Sequence, residues 1–320
     1  MNDSSTRALL IHSEPDALLP FLRARCTDLD WHAADTPERV VSAVADQSPE
    51  VVLSIKHNEL PGPAHVPAIR CESVRWFHVG GSGRDHLGAW DPARVTVTTS
   101  AGVLAPFLAE RAMAGLLALT TGIPAFLRAQ QARSWEPSTF RALAGRTALV
   151  IGVGHTGGEL ARRLRAFDVR VLGLRSSGRP HDAVDEMHEP SALNELLPRA
   201  DVVSLHVPSN DTTHHLIGAD ELSRLPSAAI VLNAARGDVV DTTALVDSLD
   251  RGHLAGAWLD VFEHEPLPSE DPLWARRDVL ITPHCADQVE GWPMRFAERF
   301  ATNWERFRRG EQLIGVVRPA

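Results

Sequence analysis

The chain of 320 residues has no tyrosine, three cysteines and a single lysine, Lys56. Cys26, Cys71 and Cys285 lie far apart and form no CxxC pair, which excludes a disulfide framework and a zinc site of ordinary spacing. No HExxH occurs, and no metal is expected. With one lysine, a GK[ST] phosphate loop and a Schiff-base lysine in a nucleotide pocket are both excluded. Net positive charge is absent as well: the formal charge of -9 argues against a general nucleic-acid binder, which needs a basic face. Long apolar runs are missing. The N-terminal "MNDSSTRALLIHSEPD" is too polar for a secretory segment, and "AMAGLLALTTGIPAFL" is broken by Thr, Gly and Pro. A cytoplasmic protein with no membrane partner is the expectation.

What is present is ordinary for a globular protein, with 44% hydrophobic and 23% charged residues and enough length for two domains. The first hundred residues alternate apolar runs ("RALLIHS", "EVVLSI", "VRWFHVGG", "ARVTVTTS") with helical stretches ("DALLPFLRARC", "TPERVVSAVADQ"). Thr36 and Pro37 read as an N-cap and first helical residue. A long apolar helix, "LAPFLAERAMAGLLALTTGI", and a polar segment follow. A second series of strands comes next: "RTALVIG", "DVRVLGL", "ADVVSLHVP", "AAIVLNAAR", "LAGAWLDVF" and "DVLITPH". Among the helices between them, "TTALVDSLDRG" has Asp241 as N-cap and Gly252 past its end. The tail "AERFATNWERFRRGEQL" is amphipathic. Strands alternating with helices predict an α/β protein with two doubly wound parallel sheets.

Gly152, Gly154 and Gly157 form a GxGxxG that follows a strand and opens a helix, the context in which this motif binds a dinucleotide. The first glycine makes the turn, and the second lets backbone N–H groups approach a pyrophosphate at the helix N-terminus. His155 and Thr156 belong to the same turn. An acid usually sits about 20 residues past the glycines and bonds the adenosine ribose. That acid is missing. The strand end carries Arg175, followed by Ser176 and Ser177. A cation cannot accept bonds from a ribose diol, but it can bond a 2′-phosphate, with the hydroxyls as further donors. NADP is therefore the preferred cofactor, with NAD as the alternative.

Three motifs begin at C-terminal ends of strands, where open parallel sheets bind ligands: "NAARGDVVD", "LDVFEHEPL" and "ITPHCADQ". Together they offer an arginine, several carboxylates and two histidines, the groups that reduction of a 2-keto acid requires. Arg236 can bind the carboxylate or polarise the carbonyl. A histidine can deliver the proton to the nascent alkoxide, and a carboxylate can hold the imidazolium.

With these motifs, the chain resembles the D-isomer-specific 2-hydroxyacid dehydrogenases along nearly its whole length. The resemblance includes "GGSGRDHL", "LAPFLAERAMAGLLAL", "VIGVGHTGG", "HVPSNDTTHHLI", "LNAARGDVVD", "LDVFEHEPL" and "ITPH", in the family's order. "PHCADQVEGW" and "GEQLIGVV" look most like the glyoxylate and hydroxypyruvate reductase branch. The resemblance implies a flavodoxin-like substrate domain from residues 1–100 plus 286–320, and a Rossmann cofactor domain from 101–285. It implies Arg236 as substrate-binding and polarising group, His284 as acid/base and Glu265 as its partner, with Glu263 the alternative. It places backbone N–H groups of Ser82 and Gly83 on the substrate carboxylate, Asp260 near the nicotinamide carboxamide, and Pro208 and Ala234 in the cofactor site. It also implies a homodimer. Trp135 reads as a core tryptophan, the alternative being a reach into a partner subunit's site. Cys285 reads as a packing residue, while Asp287 and Trp292 are candidates for shaping the pocket. Arg84 stands where the family usually has an apolar residue. Ser82 argues against phosphite oxidation and Glu265 against formate oxidation.

Two classes of function follow. One is NADPH-dependent reduction of a small 2-keto acid, glyoxylate or hydroxypyruvate, or of a bulkier one such as phenylpyruvate. The other is a nucleotide-sensing, corepressor-like binding protein.

Overall fold

The computed structural model describes residues 5–57 and 59–319. The chain divides into two compact units, Met1–Leu104 with Glu290–Ala320, and Ala105–Val289. The strands run in chain order as β1 (Thr6–Ile11), β2 (Leu29–Ala34), β3 (Val51–Ile55), β4 (Trp76–Gly80) and β5 (Thr96–Thr99). They continue as β6 (Thr147–Ile151), β7 (Arg170–Leu174), β8 (Glu186–His188), β9 (Val202–Leu205) and β10 (Ala229–Asn233). The last are β11 (Leu254–Leu259), β12 (Val279–Ile281) and β13 (Val316–Val317).

In the first unit the sheet order is β13-β5-β4-β3-β1-β2, parallel except for the two-residue β13 against β5. One face buries Leu9, Ile11, Val52, Phe77 and Val79 under Val40, Ala68 and Ile69. The other face meets the helix Trp292–Arg308 through aromatic rings: Trp76 stacks on Phe300 at 4.7 Å and on Phe307 at 5.5 Å. That helix starts five residues before the expected segment, because Gly291 turns the chain at φ 70° and Pro293 is tolerated in a first helical turn. Thr36 caps the helix Pro37–Gln47 as expected, its hydroxyl accepting the Arg39 N–H at 3.3 Å.

The second unit holds seven parallel strands in the order β12-β11-β10-β9-β6-β7-β8. Successive residues of β6 serve opposite faces. Leu149 and Ile151 join one apolar cluster, while Ala148 and Val150 join another beneath the helices Ala105–Thr121 and His155–Ala166. Burial on both faces is why these strands read as unbroken apolar runs. Asp241 caps the helix Thr242–Asp250, accepting the Ala244 N–H at 3.0 Å. Two expectations need correction. "SALNELL" gives only one four-residue α-helix, Leu193–Leu196, between 3-10 turns set by Pro190 and Pro198. Trp135 is no core residue: it is 95% exposed, on a segment without regular structure that offers it no packing partner among the described residues. Among the described residues no single helix is long and apolar enough to cross a membrane.

Candidate active site

The second unit's sheet delivers its loops at one edge, and the glycine turn is the first of them. Gly152 follows β6 with φ 95°, and a Cβ there would sit 2.5 Å from the His206 carbonyl oxygen. At Gly157 a Cβ would sit 2.3 Å from the Gly152 oxygen. Gly154, the N-cap of the helix His155–Ala166, is exposed and would meet nothing within 4 Å. The turn is thus pinned against β9's exit on one side and open at the helix start. N–H groups in a helix's first turn lack intrahelical acceptors and lie at its positive end. These are the requirements for seating a dinucleotide pyrophosphate, and the residues present fit that group.

At the end of β7 the Arg175 N–H donates to the His188 carbonyl at 3.0 Å, and the Arg175 carbonyl accepts from Gly178 at 2.9 Å. The resulting turn holds Arg175 half-buried and leaves Ser176 and Ser177 exposed. The guanidinium makes no hydrogen bond or ion pair with any described residue. By contrast, Arg170 and Arg199 both pair with Glu186 and hold that carboxyl down at about 2, the Arg199 hydrogen bond contributing most. Glu189, which was not singled out from the sequence, packs beside Gly178 in this loop. Pro208 follows β9, its carbonyl accepting the Thr213 hydroxyl at 2.6 Å. Ala234 is half-buried just past β10.

Three further strand ends bring the catalytic candidates together. After β10 the buried Asn233 side chain clamps the turn, accepting the Ala235 N–H at 3.0 Å and donating to the Arg236 carbonyl at 2.9 Å. Gly237 then passes so close to the loop after β11 that a Cβ would lie 1.9 Å from the Phe262 carbonyl carbon. On that second loop, Glu265 accepts the Phe262 N–H at 2.9 Å through Oε1. Its Oε2 lies 2.6 Å from His284 Nδ1, on the loop after β12. The sequence left Glu263 or Glu265 as the partner. The structure pairs His284 with Glu265 and gives Glu263 to His215, 3.2 Å away.

Asp260 organises the histidine's loop. It is 2% exposed and accepts from the Thr282 hydroxyl at 2.5 Å, the Cys285 N–H at 3.1 Å and the Ala286 N–H at 3.0 Å. Its backbone carbonyl accepts the His284 N–H at 2.8 Å, helping hold that residue at φ 46°. Burial raises the Asp260 carboxyl, against the opposing effect of its three donors. At His284 the hydrogen bond to Glu265 raises the imidazole above its ordinary value, outweighing burial and the charge of Arg236. For Glu265, burial works upward, but the bonds from His284 and Phe262 and the charges of His284 and Arg236 carry the carboxyl downward. Both shifts favour an imidazolium beside a carboxylate. Burial raises the Cys285 thiol, so it stays protonated and is no nucleophile at neutral pH.

Ser82 and Gly83 belong to the first unit, beyond the C-terminal end of β4. Asn233 and Gly237 are the residues sequence reasoning passed over. Both stand inside "NAARGDVVD", where a buried amide flanking a turn was the available signal.

The chain was compared with known proteins. The family model "D-isomer specific 2-hydroxyacid dehydrogenase, NAD binding domain" matches residues 113–286. The chain is 37% identical over 315 residues to a glyoxylate reductase of Thermofilum pendens, covering 95% of this chain and 91% of that one. A D-isomer specific 2-hydroxyacid dehydrogenase family protein from Aeromonas salmonicida superposes with a TM-score of 0.88 at 28% identity, over 99% of this chain and all of that one. A D-isomer specific 2-hydroxyacid dehydrogenase from Xanthobacter autotrophicus, crystallised with NADPH and MES, superposes with a TM-score of 0.78 at 29% identity, over 97% and 98% of the two chains.

Proposed function

The chain belongs to the NAD(P)-dependent D-isomer-specific 2-hydroxyacid dehydrogenases, and on that premise we propose that it reduces a small 2-keto acid, glyoxylate or hydroxypyruvate, to the D-2-hydroxy acid with NADPH. The observation that carries this reading is the 2.6 Å pairing of His284 with Glu265, with Arg236 close enough for its charge to act on both. Glu265 holds Nδ1, which leaves Nε2 to face the substrate. Arg236 draws electron density from the keto oxygen. His284 gives up its Nε2 proton as that oxygen becomes an alkoxide, and the neutral ring keeps its remaining proton on Nδ1, against Glu265. Backbone N–H groups of Ser82 and Gly83 take the substrate carboxylate.

Gly152, Gly154, His155, Thr156 and Gly157 seat the cofactor's pyrophosphate, with Pro208, Ala234 and Asp260 lining its site. When bound, the nicotinamide supplies the hydride for the keto carbon. Arg175 at the end of β7, unpaired among the described residues and standing in place of an acid, supports a 2′-phosphate and hence NADPH. The glyoxylate reductase name of the Thermofilum relative supports a small keto acid. The exposed side chains of Ile123, Phe126, Leu127, Trp135 and Phe140 support a homodimer that covers them.

His284→Ala tests the mechanism. Turnover of glyoxylate and hydroxypyruvate is expected to fall by roughly 10²- to 10⁴-fold, while NADPH binding, followed by fluorescence titration, stays unchanged. Near-normal turnover would overturn the assignment.

A further inference from the structure

The carboxyl edge of the first unit's sheet carries polar groups that the reaction as described does not use. His12 directly follows β1, whose Ile11 pairs with Ser54 of β3. Ile55 of β3 pairs in turn with Gly80 of β4. His57 and Ser82 each stand two residues beyond that last pair, so both follow adjacent strands at the same edge of the sheet. Trp292, opening the terminal helix, covers both imidazoles. Its ring centroid lies 6.3 Å from His12 and 6.5 Å from His57, stacked on the latter at 7°. The two histidine rings are 6.4 Å apart.

His12 is 3% exposed. Its Nδ1 accepts the Glu14 N–H at 2.8 Å, so a neutral ring carries its proton on Nε2. Burial is the largest influence on this imidazole and lowers it, which favours the neutral ring. Its Nε2–H is then a buried donor with no partner among the described residues, and the buried Nδ1 of His57 likewise has none. Buried polar groups are nearly always bonded, so two orphans on adjoining rings call for a partner from outside the described side chains, a water or a ligand. His65 and His78 of the same unit show the contrast. His65 is bonded to Ser54 at 2.8 Å and Leu60 at 3.1 Å, and His78 to Thr98 at 2.7 Å and Ser100 at 2.9 Å.

We propose that His12 and His57, roofed by Trp292, form a subsite that reads the C3 substituent of the keto acid and selects a hydroxyl there. The inference rests on the proposed function, in particular on Ser82 and Gly83 holding the carboxylate, two bonds away from C3. A hydroxyl both donates and accepts, so it meets the Nε2–H of His12 and the Nδ1 of His57 whether or not that atom carries a proton. The indole of Trp292 offers an apolar face to the C3 methylene.

Hydroxypyruvate and pyruvate differ only by that hydroxyl, so the ratio of their kcat/KM values is the readout. The wild-type enzyme is expected to favour hydroxypyruvate by on the order of 10²-fold or more. His12→Leu and His57→Leu are each expected to lower the ratio by about tenfold or more, the loss falling on hydroxypyruvate while pyruvate turnover holds. A wild-type enzyme without the preference, or variants that lose both substrates equally or leave the ratio unmoved, would overturn the subsite. His57→Leu keeps the test open should the buried His12→Leu fail to fold. Absence of turnover with every 2-keto acid, glyoxylate included, would overturn the underlying reading instead.

Discussion

His284 and Glu265 set the direction in which the proton is held. Reduction needs the imidazolium, and the Glu265 hydrogen bond raises His284, so the protonated form persists to higher pH than for a free histidine. The rate of reduction is expected to fall as pH rises through that raised value. In Glu265→Gln the largest raising influence is gone, so the fall moves to lower pH, and kcat/KM measured against pH shows the shift. An alkaline limb that stays in place would mean that Glu265 does not tune the acid. Individual residues were legible in the sequence where chemistry restricts the choice. Arg236 and His284 have the right groups at strand ends, and the family's motifs single them out from others so placed, such as Arg175, His206 and His264. Glu263 and Glu265 differ by two places on one loop, and what separates them is His215, a residue 48 positions away from Glu263 that binds the first carboxylate. Trp135 shows the converse. An indole carries no mark of what packs against it, and here almost nothing does.

The loops after β10 and β11 act as one element because Gly237 lets them touch. Gly237→Ala would drive a methyl into the Phe262–Glu263 backbone, and backbone cannot yield as a flexible side chain does. Overpacking of this kind costs about 1–3 kcal/mol or more. A lowered Tm together with a reduced kcat is the expected outcome, because the change separates Arg236 from Glu265. Unchanged melting and turnover would show that the loops are not held by this contact. Among the elements, those with a local signal were readable: Thr36 and Asp241 as caps, and the apolar runs of β3, β6 and β10. The edge strands β2, β8 and β13 were not. β2 interleaves Asp30 and His32 with its apolar residues, and β8 is three half-buried residues. β13 is formed by tertiary contact: Asn303 bonds the backbone of Ile314 in both directions and brings the tail to β5.

For the whole molecule, continuous apolar strands between helices were enough to indicate doubly wound sheets, since only strands covered on both faces read that way. The discontinuous first unit was not readable from periodicity, because joining residues 290–320 to 1–104 depends on the Trp76, Phe300 and Phe307 stack. The family resemblance supplied that expectation. The cofactor reading falls between these cases. The missing acid after the glycines is plain in the sequence, yet the meaning of Arg175 depends on its having no ion-pair partner.

The most direct test is the ratio of kcat/KM for NADPH over NADH, measured with glyoxylate in the wild type and in Arg175→Asp. If Arg175 bonds a 2′-phosphate, a charge-assisted bond of about 1.5–3 kcal/mol gives a wild-type preference for NADPH of roughly 10- to 100-fold. Arg175→Asp is expected to collapse or invert that preference while the NADH reaction survives. A wild-type preference for NADH, or a ratio indifferent to Arg175→Asp, would contradict it.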